Sequence, residues 1–176
     1  SSIPLDIDSV RFMDLDVQVP LARNYGHAQQ GIGGAVGNYF MNMYSNGMGI
    51  NVTHLEWNGC TFQGLIRGFF RIQGSNDFNI HSLVMKNCEF LNTGFYDNGG
   101  KGYNIIFADH NGKPKSNILE NVVIDNNTWV DTPHGSIITD NNRNLVWDES
   151  VRWNITVTNN TFVNHATRSA IPFFNF

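Results

Sequence analysis

The sequence predicts an all-β chain wound as a parallel β-helix, a solenoid of about five coils. Two observations predict it. The first is a repeated phrase: WNGCTFQG at 57–64, MKNCEFLNTG at 85–94, IDNNTWVDTP at 124–133 and VTNNTFVNHA at 157–166, with a fainter copy, FMDLDVQVP, at 12–20. Their aligned terminal residues, Val17, Phe62, Phe90, Trp129 and Phe162, lie 45, 28, 39 and 33 residues apart. Periods of that size mark stacked repeats. The second observation is a set of apolar columns at fixed offsets from those residues. Val10, Leu55, Leu83, Val122 and Ile155 come seven residues before; Phe12, Trp57, Met85, Ile124 and Val157 come five before. A spacing of two between apolar positions is the strand period.

The elements follow in order. An early column of Ile7, Val52, Ile80 and approximately Ile118, preceded by Asp6, Asn51, Asn79 and Asn117, opens each unit. The two apolar columns above continue its first strand. Small polar residues between them and the terminal aromatic, among them Asn87, Asn126 and Asn159, turn a corner, where positive φ or a side-chain cap is needed. A short strand carries the aromatic. A third apolar run completes the coil: YFMNM (39–43), FFRIQ (69–73), NIIFAD (104–109), SIITD (136–140) and AIPFF (170–174). Equivalent strands of successive coils then pair about 4.8 Å apart.

Length and composition fit a single domain over residues 1–176. Hydrophobic residues make up 41% of the chain, with 13 Phe and 4 Trp to fill a core. No segment shows sustained helical periodicity. Charged residues are 15% and the net charge is −4, and without a Lys/Arg run to neutralise phosphates nucleic acid is not the expected partner. No apolar run approaches the length of a membrane span. SSIPLDIDSV carries no signal peptide and reads as the start of a mature or trimmed chain. Residues 20–38 form a Gly-rich insertion in the first coil, with smaller loops at 92–102 and 141–150; insertions of this kind gather on one face, often the binding face. AIPFFNF ends the sequence in strand phase without a polar cap, so flanking domains or another chain are expected to cover the solenoid ends.

Cys60 and Cys88 share one column and are expected as buried, unbonded thiols, because parallel in-register side chains suit disulfide geometry poorly. Sequons begin at Asn51, Asn126, Asn154 and Asn159; as glycosylation sites they would mean a eukaryotic secreted protein, but Asn87 fills the same column as Asn126 and Asn159 without one, so corner chemistry suffices and is the expected role. The histidines are dispersed, with His54 and His81 facing outward as solvated polar residues. No nucleophile elbow, Walker loop or HExxH pattern is present, and the glycines at 31–34 lack a βαβ context.

The chemical candidates lie on the third strand. Aligning FRIQGS, IFADHN and IITDNN puts Gln73, Asp109 and Asp140 at one position, followed by Gly74, His110 and Asn141. Stacked carboxylates one coil apart suit a hard cation, and Asp109 with Asp140 is the candidate calcium site. Arg71, Lys101, Tyr103, His110 and Arg143 join them as candidate carbohydrate-binding residues. Arg or a cation neutralises a uronate, and Lys or Arg can take its C5 proton in β-elimination. The alternative for both aspartates is corner capping.

The phrases NCTF, NCEF, NNTWVDTP and NNTFVN resemble the pectate-lyase-like right-handed β-helix superfamily, and more narrowly the β-helix domains of unknown function in surface and secreted proteins of Bacteroidetes. The resemblance covers residues 50–176 well and 1–49 weakly. It implies a right-handed helix, an extracellular or cell-surface location, and a polysaccharide or other glycan as partner. In the lyase members it implies calcium held by acidic residues with a nearby Arg or Lys; Asp109, Asp140, Arg71 and Arg143 match by approximate position, and the Arg-Xaa-Pro-type signature is absent. Three functions are therefore expected: a glycan-binding or structural module, a polysaccharide lyase or glycoside hydrolase fragment, or an adhesin-like assembly module.

Overall fold

A computed structural model describes residues 4–18, 39–45, 49–64, 68–74, 78–93, 103–109, 117–131, 136–140, 154–163 and 174–175. Every element among them is a strand. In chain order these are β1 (Leu5–Met13), β2 (Asp16–Gln18), β3 (Tyr39–Ser45), β4 (Ile50–Asn58), β5 (Thr61–Gln63), β6 (Gly68–Gly74), β7 (Phe78–Lys86), β8 (Glu89–Leu91), β9 (Tyr103–Asp109), β10 (Asn117–Asp125), β11 (Thr128–Val130), β12 (Ser136–Asp140), β13 (Asn154–Thr158), β14 (Thr161–Val163) and β15 (Phe174–Asn175). They form three five-stranded sheets, ordered β1-β4-β7-β10-β13, β2-β5-β8-β11-β14 and β3-β6-β9-β12-β15. All pairings are parallel, and each strand pairs with the one three places along the chain. The chain thus visits the first, second and third sheets in rotation.

The columns read from the sequence are the register of the first two sheets. Val10 pairs with Leu55, Leu55 with Leu83, Leu83 with Val122 and Val122 with Ile155. Val17, Phe62, Phe90, Trp129 and Phe162 pair likewise along the second sheet. Phe62, Phe90 and Trp129 are buried, and their rings stack at centroid distances of 5.5 Å (Phe62–Phe90), 5.2 Å (Phe90–Trp129) and 4.8 Å (Trp129–Phe162). The three sheets meet in an aromatic core: Phe69 of β6 touches Trp57 of β4, Phe62 of β5 and Phe90 of β8, and Phe40 of β3 touches Phe12 of β1 and Phe62 of β5. Near-parallel rings in neighbouring strands exclude water along the stack and add attraction beyond burial alone.

The corners explain the Asn, Asp and Gly content. Asp14, Gly59, Asn87, Asn126 and Asn159 all have φ between 52° and 68°, each in the gap between a first-sheet and a second-sheet strand. A second left-handed set, Gly64, Asn92 and Asp131, follows β5, β8 and β11. These residue types tolerate that conformation at least cost. The ladder does not stop at the corners: Asp14, Gly59, Asn87 and Asn126 donate their backbone N–H groups to Asn58, Lys86, Asp125 and Thr158 of the next repeat. Side-chain amides run in parallel, with Asn87 Nδ2 donating to Asn58 Oδ1 and Asn126 Nδ2 to Asn87 Oδ1, both at 2.8 Å.

One register expectation is corrected. Ile80 pairs with Leu119, and Asn79 pairs with Ile118, so the opening column runs one residue later than Ile118 and Asn117. Leu119 keeps the ten-residue distance to Trp129 that Ile7, Val52 and Ile80 keep to their own terminal residues. The shift has a cost. Asn51 Nδ2 donates to Asp6 Oδ1 and Asn79 Nδ2 to Asn51 Oδ1, both at 2.7 Å, but Ile118 brings no amide to continue the series. Asn79 Oδ1 is left buried without a hydrogen-bond partner. The insertion at 20–38, the loop at 141–150, and the loop at 92–102 beyond Thr93 lie outside the described residues. No helix among the described residues is long and apolar enough to cross a membrane.

Candidate functional site

Arg71, Tyr103, Asp109 and Asp140 all lie in the third sheet; Lys101, His110 and Arg143 lie outside the described residues. Arg71 of β6 pairs with Phe107 of β9, and Gln73 pairs with Asp109 as the alignment requires. Asp140 does not join them. It pairs with Ala108, one position earlier, because β9 carries an extra residue between the Tyr103–Ser136 and Ile106–Ile138 pairs. Asp109 and Asp140 therefore hold positions of opposite phase in the sheet rather than one stacked column. They are still the last residues of adjacent strands, at one end of the sheet. Arg71 stands two positions back from that end, in the column of Phe107 and Thr139. Tyr103, at the start of β9, is about 20 Å of extended strand away from Asp109 and does not belong with it.

The best-defined polar cluster lies instead on the first sheet. His54 Nδ1 is 3.0 Å from Ser82 Oγ across the β4–β7 ladder, and His54 Nε2 is 3.2 Å from Glu56 Oε2 on its own strand. Asn58 Nδ2 donates to Glu56 Oε1 at 3.4 Å, and Arg11 Nε lies 3.5 Å from Glu56 Oε2. The hydrogen bond from His54 holds the Glu56 carboxyl below its ordinary value against partial burial, helped by the Asn58 amide and the charges of His54 and Arg11. One repeat on, His81 Nδ1 is 3.0 Å from Glu120 Oε2. His54 and His81 are thus partly exposed polar residues, and both are engaged by carboxylates. Ser82 and Glu56 were legible in principle. Glu56 follows His54 at the strand period of two, and Ser82 stands eight residues before Phe90 as His54 stands eight before Phe62.

Cys60 and Cys88 are free and buried. Their thiols donate to backbone carbonyls, Cys60 to Phe12 at 3.3 Å and Cys88 to Lys86 at 3.1 Å. The sequon amides are also engaged: Asn51, Asn126, Asn154 and Asn159 each donate to a side-chain oxygen of the neighbouring repeat. Among the described residues no three or more His, Cys, Asp and Glu side chains gather as metal ligands. The chain matches no family model, no curated protein and no solved structure.

Proposed function

We propose that the chain is a right-handed parallel β-helix of about five coils that serves as a glycan-binding or structural module of an extracellular, carbohydrate-associated protein. Rotation of successive strands through three parallel sheets supports the winding. Parallel crossovers within a sheet are right-handed in nearly all proteins, which supports the hand. The observation that carries the glycan reading is the third-sheet register, in which Arg71 of β6 and Asp109 of β9 hold positions of one phase on adjacent strands, two residues apart, with Asp140 ending the next strand, β12. A guanidinium and a carboxylate in phase on neighbouring strands offer an acidic sugar a direct cation and a calcium ligand. The same groups support the second reading, a pectate-lyase-like polysaccharide lyase, in which calcium at Asp109, with Asp140 at the end of the next strand, would hold the uronate.

Titration with polygalacturonate and neutral glucans, with and without calcium, tests both readings. Binding of the acidic polymer that is lost in Arg71→Ala and in the Asp109→Asn/Asp140→Asn pair, with melting temperature unchanged, supports the glycan reading. Calcium-dependent appearance of an ultraviolet-absorbing unsaturated product, suppressed by EDTA, makes the module a lyase. Absence of binding to every polymer overturns the glycan reading and leaves a structural module.

A further inference from the structure

We propose that Ser82, His54 and Glu56 form a nucleophile–base–acid relay on the first sheet that hydrolyses small acyl esters. This inference is independent of any glycan bound at the third sheet.

The hydrogen-bond order carries it. Ionised Glu56 can only accept, so the 3.2 Å contact to His54 Nε2 places a proton on that nitrogen. In the neutral ring Nδ1 then keeps its lone pair, and it faces the Ser82 hydroxyl at 3.0 Å. That is the tautomer a general base needs, and the carboxylate that fixes it also stabilises the imidazolium formed when the serine proton is taken. The His54 hydrogen bond foremost, with Asn58 and Arg11, keeps Glu56 ionised and in place. Ser82, His54 and Glu56 are all half-buried, so the hydroxyl is open to a ligand without being fully hydrated. Asn121 pairs in register with Ser82 on the side away from His54. Its amide gives one N–H to the His81 carbonyl at 3.1 Å and has a second, a donor for a developing oxyanion.

The step balances with water as co-reactant. Ser82 Oγ bonds to the ester carbonyl carbon while its proton passes to His54 Nδ1. The carbon–alkoxide bond breaks, and the alkoxide leaves as an alcohol with the proton from His54. Water then loses a proton to His54 and attacks the acyl-serine; the carboxylic acid departs, and His54 returns the proton to Ser82. Ser9 pairs with His54 from the other side, on β1, yet the hydrogen bond from His54 Nδ1 goes to Ser82, which makes Ser9 the internal control.

The test uses the whole chain with diisopropyl fluorophosphate, the adduct being located by peptide mass spectrometry, and with p-nitrophenyl acetate as substrate. The expected result is one adduct, on Ser82, and turnover abolished in Ser82→Ala. His54→Gln should lower turnover by about 10²-fold or more, as loss of a general base does. Glu56→Gln should lower kcat with KM unchanged, and Ser9→Ala should match the wild type. No adduct on Ser82 of the wild-type chain, or full turnover in Ser82→Ala, overturns the proposal; the adduct on unmutated protein decides the matter even if a variant does not fold.

Discussion

The side-chain oxygen of Asn127 accepts a hydrogen bond from the backbone N–H of Cys88 at 2.9 Å, inside the core. The same amide donates to the Met85 carbonyl at 3.1 Å. One repeat later Asn160 accepts from the Asn127 N–H at 2.9 Å and donates to the Ile124 carbonyl at 2.8 Å. Where earlier repeats place cysteine, the later ones place an amide that bridges back to the preceding corner. Asn127→Ala removes both partners at once and leaves a buried N–H and carbonyl unpaired, so it should cost about 2–4 kcal/mol in urea unfolding. Asn154→Ala, which removes an exposed amide at the end of its own series, should stay within about 0.5 kcal/mol of wild type.

The aromatic stack is expected to behave as one packed unit. Phe90 lies between Phe62 and Trp129 and against Phe69, with no exposed surface. Phe90→Ala should lower the unfolding free energy by about 3–5 kcal/mol, since backbones fixed by ladders on both sides cannot close the gap. A loss below about 1 kcal/mol would mean that the rings are not stacked as described.

Cys88 should be inert in the folded protein. Burial, reinforced by the neighbouring Cys60, pushes its thiol up to about 12. Thiolate is the reactive species. Ellman's reagent at mildly alkaline pH should therefore leave Cys88 unmodified until denaturant is added, when both cysteines react. Titration of no thiols after unfolding without reductant would instead reveal a disulfide.

Glu56 links stability to pH. Its carboxyl is held below the ordinary value in the folded state, foremost by the hydrogen bond from His54. The contribution is therefore present above the unfolded value of about 4.3 and is lost as pH falls through the lower folded value. Wild type should exceed Glu56→Gln in melting temperature near neutrality, and the two should converge in acid. A difference that is the same at neutral and strongly acid pH would contradict the ion-pair account.

Much of the fold was legible because its columns sit at constant distances from one aromatic residue. Offsets of seven and five fixed the Leu55 and Trp57 columns, and the corner residues Asn87, Asn126 and Asn159 declared themselves by side-chain chemistry. Two register positions are hidden for one reason: Ile118 beside Leu119, and Asp140 one place off Asp109, carry residue types that mimic the true partner, and an extra residue inside β9 is invisible to a local alignment. The His54–Ser82 contact was missed for a different reason. It joins residues 28 apart that become neighbours only through strand pairing, and a search for local motifs does not see across the ladder.

The account rests on repeats stacking in register, and the most direct measurement is the set of nuclear Overhauser contacts of the Trp129 indole. Its ring centroid lies 5.2 Å from that of Phe90 and 4.8 Å from that of Phe162, residues 39 and 33 positions away in the chain. Cross-peaks from the indole to both phenylalanine rings are the predicted result. An indole whose contacts run only to its own sequence neighbours, or to one of the two rings without the other, would contradict the stacking and with it the winding of the chain.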